Sequence, residues 1–121
     1  MKIAVDLDAT ISAYPEFFEL FTKAMSEAGC RIYVITDRVP GTEKQVAQEL
    51  RNYGITYDQI HITANKTEYI MQEGISVLFD DKDEYFLDLP ESVAVFKVRE
   101  HYNFDFTEKK WLYSDRTGRI I

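Results

Sequence analysis

The feature that most constrains the fold is a regular alternation. Short apolar, β-branched runs are separated by stretches with helical character. Lys2 to Leu7 reads as a strand that runs into acid. Pro15 opens a helix, because its fixed φ suits the first turn. Phe17, Leu20, Phe21, Ala24 and Ala28 recur at helical spacing and predict one apolar face, with Gly29 as the stop. Arg31 to Thr36 is a second strand. Thr42 and Gln45 suggest a capping box for a helix that reaches about Tyr53, ended by Gly54. Gln59 to Ile62 is a weaker third strand, and a short helix follows Asn65 and ends near Gly74. Ile75 to Phe79 is a fourth strand, apolar enough to be central. Tyr85 to Leu89 gives one helical turn or two before Pro90, and Val93 to Val98 is a fifth strand.

Strands that alternate with helices imply parallel βαβ units joined by right-handed crossovers. A chain of 121 residues has room for one core. The expectation is a single Rossmann-like, three-layer α/β domain over residues 1–121. Its five-stranded parallel sheet has the order 3-2-1-4-5, with helices on both faces. The core spans about residues 1–98 and a tail about 99–121. Within the tail, Trp111 to Tyr113, Asp115 to Gly118 and Arg119 to Ile121 suggest a terminal hairpin.

This layout puts polar residues at element ends. Asp6 and Asp8 follow the first strand, Thr36 closes the second, Lys66 opens the short helix, and Asp80 and Asp81 follow the fourth strand. Open α/β sheets bind ligands beyond the carboxyl ends of their strands, where strand order reverses. With that strand order the two acidic pairs face each other. Carboxylates so placed repel unless something neutralises them. A hard divalent cation such as Mg2+ suits an all-oxygen donor set, and it commonly binds through one or two carboxylates plus substrate phosphate. A cation and a lysine at one site point to an anionic substrate, with phosphate the leading candidate.

These motifs resemble those of the haloacid dehalogenase superfamily of phosphotransferases. Val5-Asp6-Leu7-Asp8-Ala9-Thr10 is similar to its first motif, Val34-Ile35-Thr36 to its second, Lys66 to its third and Val77-Leu78-Phe79-Asp80-Asp81 to its fourth. The resemblance implies a phosphatase with Asp6 as nucleophile and Asp8 as general acid and base. It also implies Thr36 on a phosphate oxygen and Lys66 offsetting charge. The implied ligands are the Asp6 carboxylate, the Asp8 backbone carbonyl and the Asp81 carboxylate, with Asp80 a partner or an alternative. Ala9 stands where many relatives carry glycine, a departure expected to matter little. Lys82 could compete with Lys66 for the cationic role. The connections after the first and second motifs leave no room for a cap domain, so the site should be open. Tyr14, Asp37 and Arg38, in loops beside these motifs, are candidates to contact the substrate.

Composition narrows the partners. The formal charge of −7 argues against long nucleic acid and anionic membranes. No apolar run suits a signal peptide or a membrane span. A single cysteine, Cys30, excludes an intramolecular disulfide and suits a reducing cytoplasm. His61 and His101 lack metal-ligand partners and read as packing or surface residues. The aromatic tail is expected to cover the sheet edge, with a homodimer contact as the alternative.

Three other readings compete. A nucleotidase or polynucleotide-end phosphatase would share the same chemistry. A non-catalytic phosphate-binding scaffold would share the fold. A phospho-accepting receiver domain would need a lone Asp after the third strand, and Gln59-Ile60-His61-Ile62 ends without one.

Overall fold

Ile3, Ala4 and Val5 are apolar in succession, so neither face of the strand they form can meet water. In the computed structural model, which describes residues 1–112, this strand is β1 (Lys2–Val5) and it lies at the centre of the sheet. Ile3 sits between Ile32 and Val77, and Val5 sits between Val34 and Phe79. Around it are α1 (Pro15–Glu27), β2 (Arg31–Thr36), α2 (Glu43–Asn52), β3 (Gln59–Ile62), α3 (Lys66–Glu73), β4 (Val77–Asp80) and β5 (Ala94–Lys97). The five strands are parallel in the order β3-β2-β1-β4-β5, as the alternation predicts.

Strand pleating divides the core in two. Ile3, Val5, Ile32 and Val34 meet Phe18 from α1 and Val46 and Leu50 from α2. Ala4, Tyr33, Ile35 and Leu78 meet Ile70 from α3 on the opposite face. Chain order reverses beside β1, between β2 and β4, and both flanking strands end there at polar residues.

Several local expectations are corrected. Helix α1 does not bury the predicted stripe: Phe17 is 51% and Leu20 69% exposed. The covered side carries Phe18, Phe21, Thr22 and Met25. A polar residue hid this face from the apolar pattern. The Thr22 hydroxyl is satisfied while buried, donating to the Phe18 carbonyl at 2.7 Å and accepting from Thr56 N–H at 3.2 Å. The Thr42–Gln45 capping box does not form, because the Thr42 hydroxyl donates to the Val39 carbonyl at 2.7 Å. A side-chain cap occurs instead at α3, where Asn65 Oδ1 accepts from Glu68 N–H at 3.1 Å.

Strand ends differ from the predicted ones by a residue or two, as element boundaries do. The segment after β4 makes a single 3₁₀ turn at Asp83–Tyr85. An antiparallel hairpin forms earlier than predicted, from β6 (Phe104–Asp105) and β7 (Lys110–Trp111). Its Trp111 ring lies 4.2 Å from Lys97 Nζ on edge strand β5. The rest of the predicted terminal hairpin, from Tyr113 on, lies outside the described residues. Among the described residues no helix is long and apolar enough to cross a membrane.

Candidate active site

The β1 ladder continues one residue past the strand, with Asp6 N–H donating to the Phe79 carbonyl at 3.0 Å. That bond fixes Asp6 at the carboxyl edge of the two central strands. The chain then turns through Leu7–Ile11, with Ala9 at φ 61°. This left-handed conformation strains an L-residue by about 1 kcal/mol. Glycine at this position would relieve it, so the alanine matters more than the sequence suggests.

Lys66 opens α3 and is 1% exposed, not a solvated surface lysine. Its Nζ donates to Asp6 Oδ1 and to Asp80 Oδ2, each at 2.7 Å, and lies 4.3 Å from the Tyr85 ring centre. Burial favours loss of its proton, yet the two carboxylates outweigh that and hold it above the ordinary lysine value. Burial pushes Asp6 up, against the pull of Lys66. Asp81 is pushed to about 8 by burial, by its hydrogen bond with Asp6 and by the charges of Asp6 and Asp80.

The neighbouring acids differ in what already holds them. Asp80 is fully buried; one oxygen takes Lys66, and the other accepts the amides of Asp81 at 2.7 Å and Lys82 at 3.2 Å. Besides its bond with Asp6, the Asp81 side chain has a long contact with the Thr10 hydroxyl, at 3.5 Å, while that hydroxyl also reaches Asp6 at 3.2 Å. Asp6, Asp80 and Asp81 each offer an oxygen within 4.8 Å of the others. An all-carboxylate donor set of this spacing fits a hard divalent cation. The Asp8 side chain is not part of this group.

Thr36 is fully buried, and its Oγ1 has no hydrogen-bond partner among the described residues. It lines a pit of about 50 Å³ together with Asp6, Asp8, Asp37, Lys66, Asp81, Lys82 and Tyr85. Asp37, Lys66 and Tyr85 also line a larger hollow of about 620 Å³, whose other walls include Glu68, Glu84 and Asp88.

The sequence-predicted residues thus divide. Asp6, Asp8, Thr36, Asp37, Lys66 and Asp81 share the pit, and Asp80 lies behind it, joined to Lys66. Tyr14 and Arg38 do not line it. The Tyr14 hydroxyl donates to the Arg99 carbonyl at 2.6 Å. Arg38 is taken by Asp8 and Glu49, which hold its proton even more firmly than usual. Its hydrogen bonds hold Asp8 and Glu49 below the usual carboxylate range. Tyr85 was missed by sequence reasoning; its hydroxyl donates to Asp37 at 3.0 Å and its ring covers Lys66. Nothing in the motif pattern marks it. Asn103 was missed too; its Nδ2 donates to the Asp81 carbonyl at 2.9 Å and ties the tail to the site.

Fold and site define a class: a Rossmann-like α/β protein with a buried, lysine-paired acid cluster, able to take a metal ion, at the switch point of its sheet. No protein-family model and no curated protein sequence matches the chain. Solved structures share its fold. A chain of the Pnkp1/Rnl/Hen1 complex superimposes with a TM-score of 0.63 at 17% identity, over 80% of this chain and 45% of that one. This chain therefore spans less than half the length of that relative. A universal stress protein in complex with cAMP superimposes with a TM-score of 0.53 at 12% identity, over 82% of this chain and 96% of that one. At such identities the likeness extends to the fold alone.

Proposed function

We propose that the chain is a magnesium-dependent phosphomonoester hydrolase, a capless member of the haloacid dehalogenase superfamily. One observation carries this reading: a buried, unpartnered Thr36 hydroxyl opens on the same pit in which Lys66 grips Asp6. A buried polar group left without a partner is costly. A phosphoryl oxygen would supply the bond that Thr36 lacks, and Lys66 offsets the charge brought in.

In this mechanism an Asp6 carboxylate oxygen attacks phosphorus, and the bond from phosphorus to the ester oxygen breaks. The departing oxygen takes a proton from Asp8, which must first be protonated against the pull of Arg38. Asp8, now a carboxylate, removes a proton from water. That water attacks the aspartyl-phosphate, and phosphate leaves as the Asp6 carboxylate is restored. Asp6 and Asp81, with the backbone carbonyl of Asp8, would hold Mg2+; when bound, the ion supplies charge neutralisation for the nucleophile and the phosphoryl group. Asp81 suits direct ligation better than Asp80, whose oxygens are already engaged. The acid-lined hollow beside the pit favours a compact phosphorylated substrate over a long polyanion.

Phosphate release from 4-nitrophenyl phosphate, sugar phosphates, nucleotides and phosphopeptides, with and without magnesium, tests the reading. Magnesium-dependent turnover is expected on at least one substrate, and Asp6→Asn should lower kcat by about 10⁴-fold or more. An inactive wild type across the whole panel would favour a phosphate-binding scaffold instead.

A further inference from the structure

Arg38 does not stand free to meet a substrate. Its Nε and Nη2 donate to the two carboxylate oxygens of Asp8, at 3.0 and 2.7 Å. Nη2 also donates to Glu49 Oε1 at 3.0 Å, and Nη1 donates to Glu49 Oε2. These bonds use four of the five guanidinium N–H groups.

The three residues come from three separate elements. Asp8 lies in the turn after β1, Arg38 follows β2, and Glu49 lies in α2. Asp8 is the more exposed end, with its side chain 59% exposed in a turn next to a left-handed residue. Glu49 is the fixed end, because its helix is anchored by the fully buried Val46 and Leu50. A planar guanidinium clasped on two edges transmits orientation as well as charge.

We infer that Arg38 and Glu49 form a brace that aims the Asp8 carboxyl at the leaving-group oxygen, and that neither residue touches the substrate. Both are positioning residues. The inference rests on the phosphatase reading, in which Asp8 transfers the proton. Glu49 belongs to no sequence motif and reads from the sequence as an ordinary surface acid.

Proton transfer to the leaving group matters most when that group is strongly basic. Steady-state kinetics are therefore compared on an alkyl phosphate and on 4-nitrophenyl phosphate. Glu49→Ala should lower kcat about tenfold on the alkyl ester, with less than about a threefold loss on the aryl ester and KM unchanged on both. Glu49→Gln, which keeps an acceptor oxygen, should recover part of the loss. In an Asp8→Asn background, adding Glu49→Ala should change nothing further. The Arg38 Nε–H resonance gives a readout independent of turnover: it should be slow to exchange in the wild type and fast in both Glu49→Ala and Asp8→Asn.

Equal losses on both esters with a raised KM would place Arg38 on the substrate and overturn the brace. So would additivity with Asp8→Asn, or an Arg38 resonance unmoved by Glu49→Ala. An inactive wild type would instead reject the phosphatase reading itself, and with it the catalytic purpose of the brace. An active wild type with Glu49→Ala unchanged would reject the brace alone.

Discussion

Two trios of charge lie within the same edge of the sheet, and each sets one cation between two carboxylates. Asp6–Lys66–Asp80 is buried at all three positions. Asp8–Arg38–Glu49 is open to solvent, with its carboxylate side chains 59% and 40% exposed. The same stoichiometry gives opposite electrostatics. Burial dominates the first trio and raises Asp6 against the pull of Lys66; hydrogen bonding from Arg38 dominates the second and lowers Asp8 and Glu49. A buried charge depends on its partners for survival, whereas an exposed one has water as an alternative. On the proposed phosphatase reading, the first trio therefore holds the nucleophile still, and the second orients the group that exchanges protons with substrate and solvent.

The hardest test of this contrast is removal of each cation. Lys66→Met would leave Asp6 and Asp80 buried without their counter-charge. It should lower the unfolding free energy at neutral pH by about 3–5 kcal/mol, read from urea denaturation. A loss under about 1 kcal/mol would mean that the acids take up protons easily, and the buried trio would no longer differ from the exposed one.

A second test uses the pH dependence of metal binding. Asp81 titrates near the ordinary aspartate value in the unfolded chain and at about 8 in the metal-free fold. Between those values the native state keeps a proton that the unfolded state has released. Metal-free stability therefore carries a penalty that grows as pH rises and is complete near pH 8. Magnesium needs the ionised carboxylate, so its affinity should strengthen about tenfold per pH unit up to about pH 8 and then level off. Calorimetric titration from pH 6 to 9 checks this. A flat affinity below pH 8 would show Asp81 already ionised. The exposed trio has the opposite sign: Asp8 and Glu49 are held low, so their contribution is present at neutral pH and lost in acid.

The two trios also differ in how far the sequence disclosed them. Strand order and the edge position of Asp6, Thr36, Asp80 and Asp81 follow from alternation, since β-branched runs between helices have few ways to pack. Lys66 could be placed because it begins a short helix after a strand. The second trio was legible only in part: Asp8 and Arg38 stood out in or beside the motifs, but their pairing and Glu49 did not. Glu49 lies in α2 among polar residues, and only tertiary packing brings it to a loop after β2. Tyr85 escaped for the same reason. The covered face of α1 was misread because Thr22 is polar, and its satisfied hydroxyl is invisible to a pattern of hydrophobicity.

Thr36→Val gives a smaller effect that sharpens the buried side of the comparison. Valine keeps the shape and strand preference of threonine and removes only the unpartnered hydroxyl. Without phosphate, the variant should gain about 1 kcal/mol of stability, because a buried group with no bond is lost. Affinity for inorganic phosphate should fall by about fivefold to tenfold. A loss of stability without ligand would mean that the hydroxyl bonds ordered water, and the pit would then be preorganised by solvent.

The smallest expected change is the stability effect of breaking the exposed trio. Arg38 and Glu49 are held by solvent-screened bonds, so Glu49→Gln should shift unfolding free energy by less than about 1 kcal/mol. A double-mutant cycle with Arg38→Met should give a coupling of similar size that shrinks further at high salt. That smallness is what separates aiming from holding: a brace can govern the direction of Asp8 while adding little to the fold. A coupling above about 2 kcal/mol that persists in molar salt would place Glu49 and Arg38 among the structural supports of α2. The contrast between the two trios would then be one of degree, with Asp8 held by the same means as Asp6.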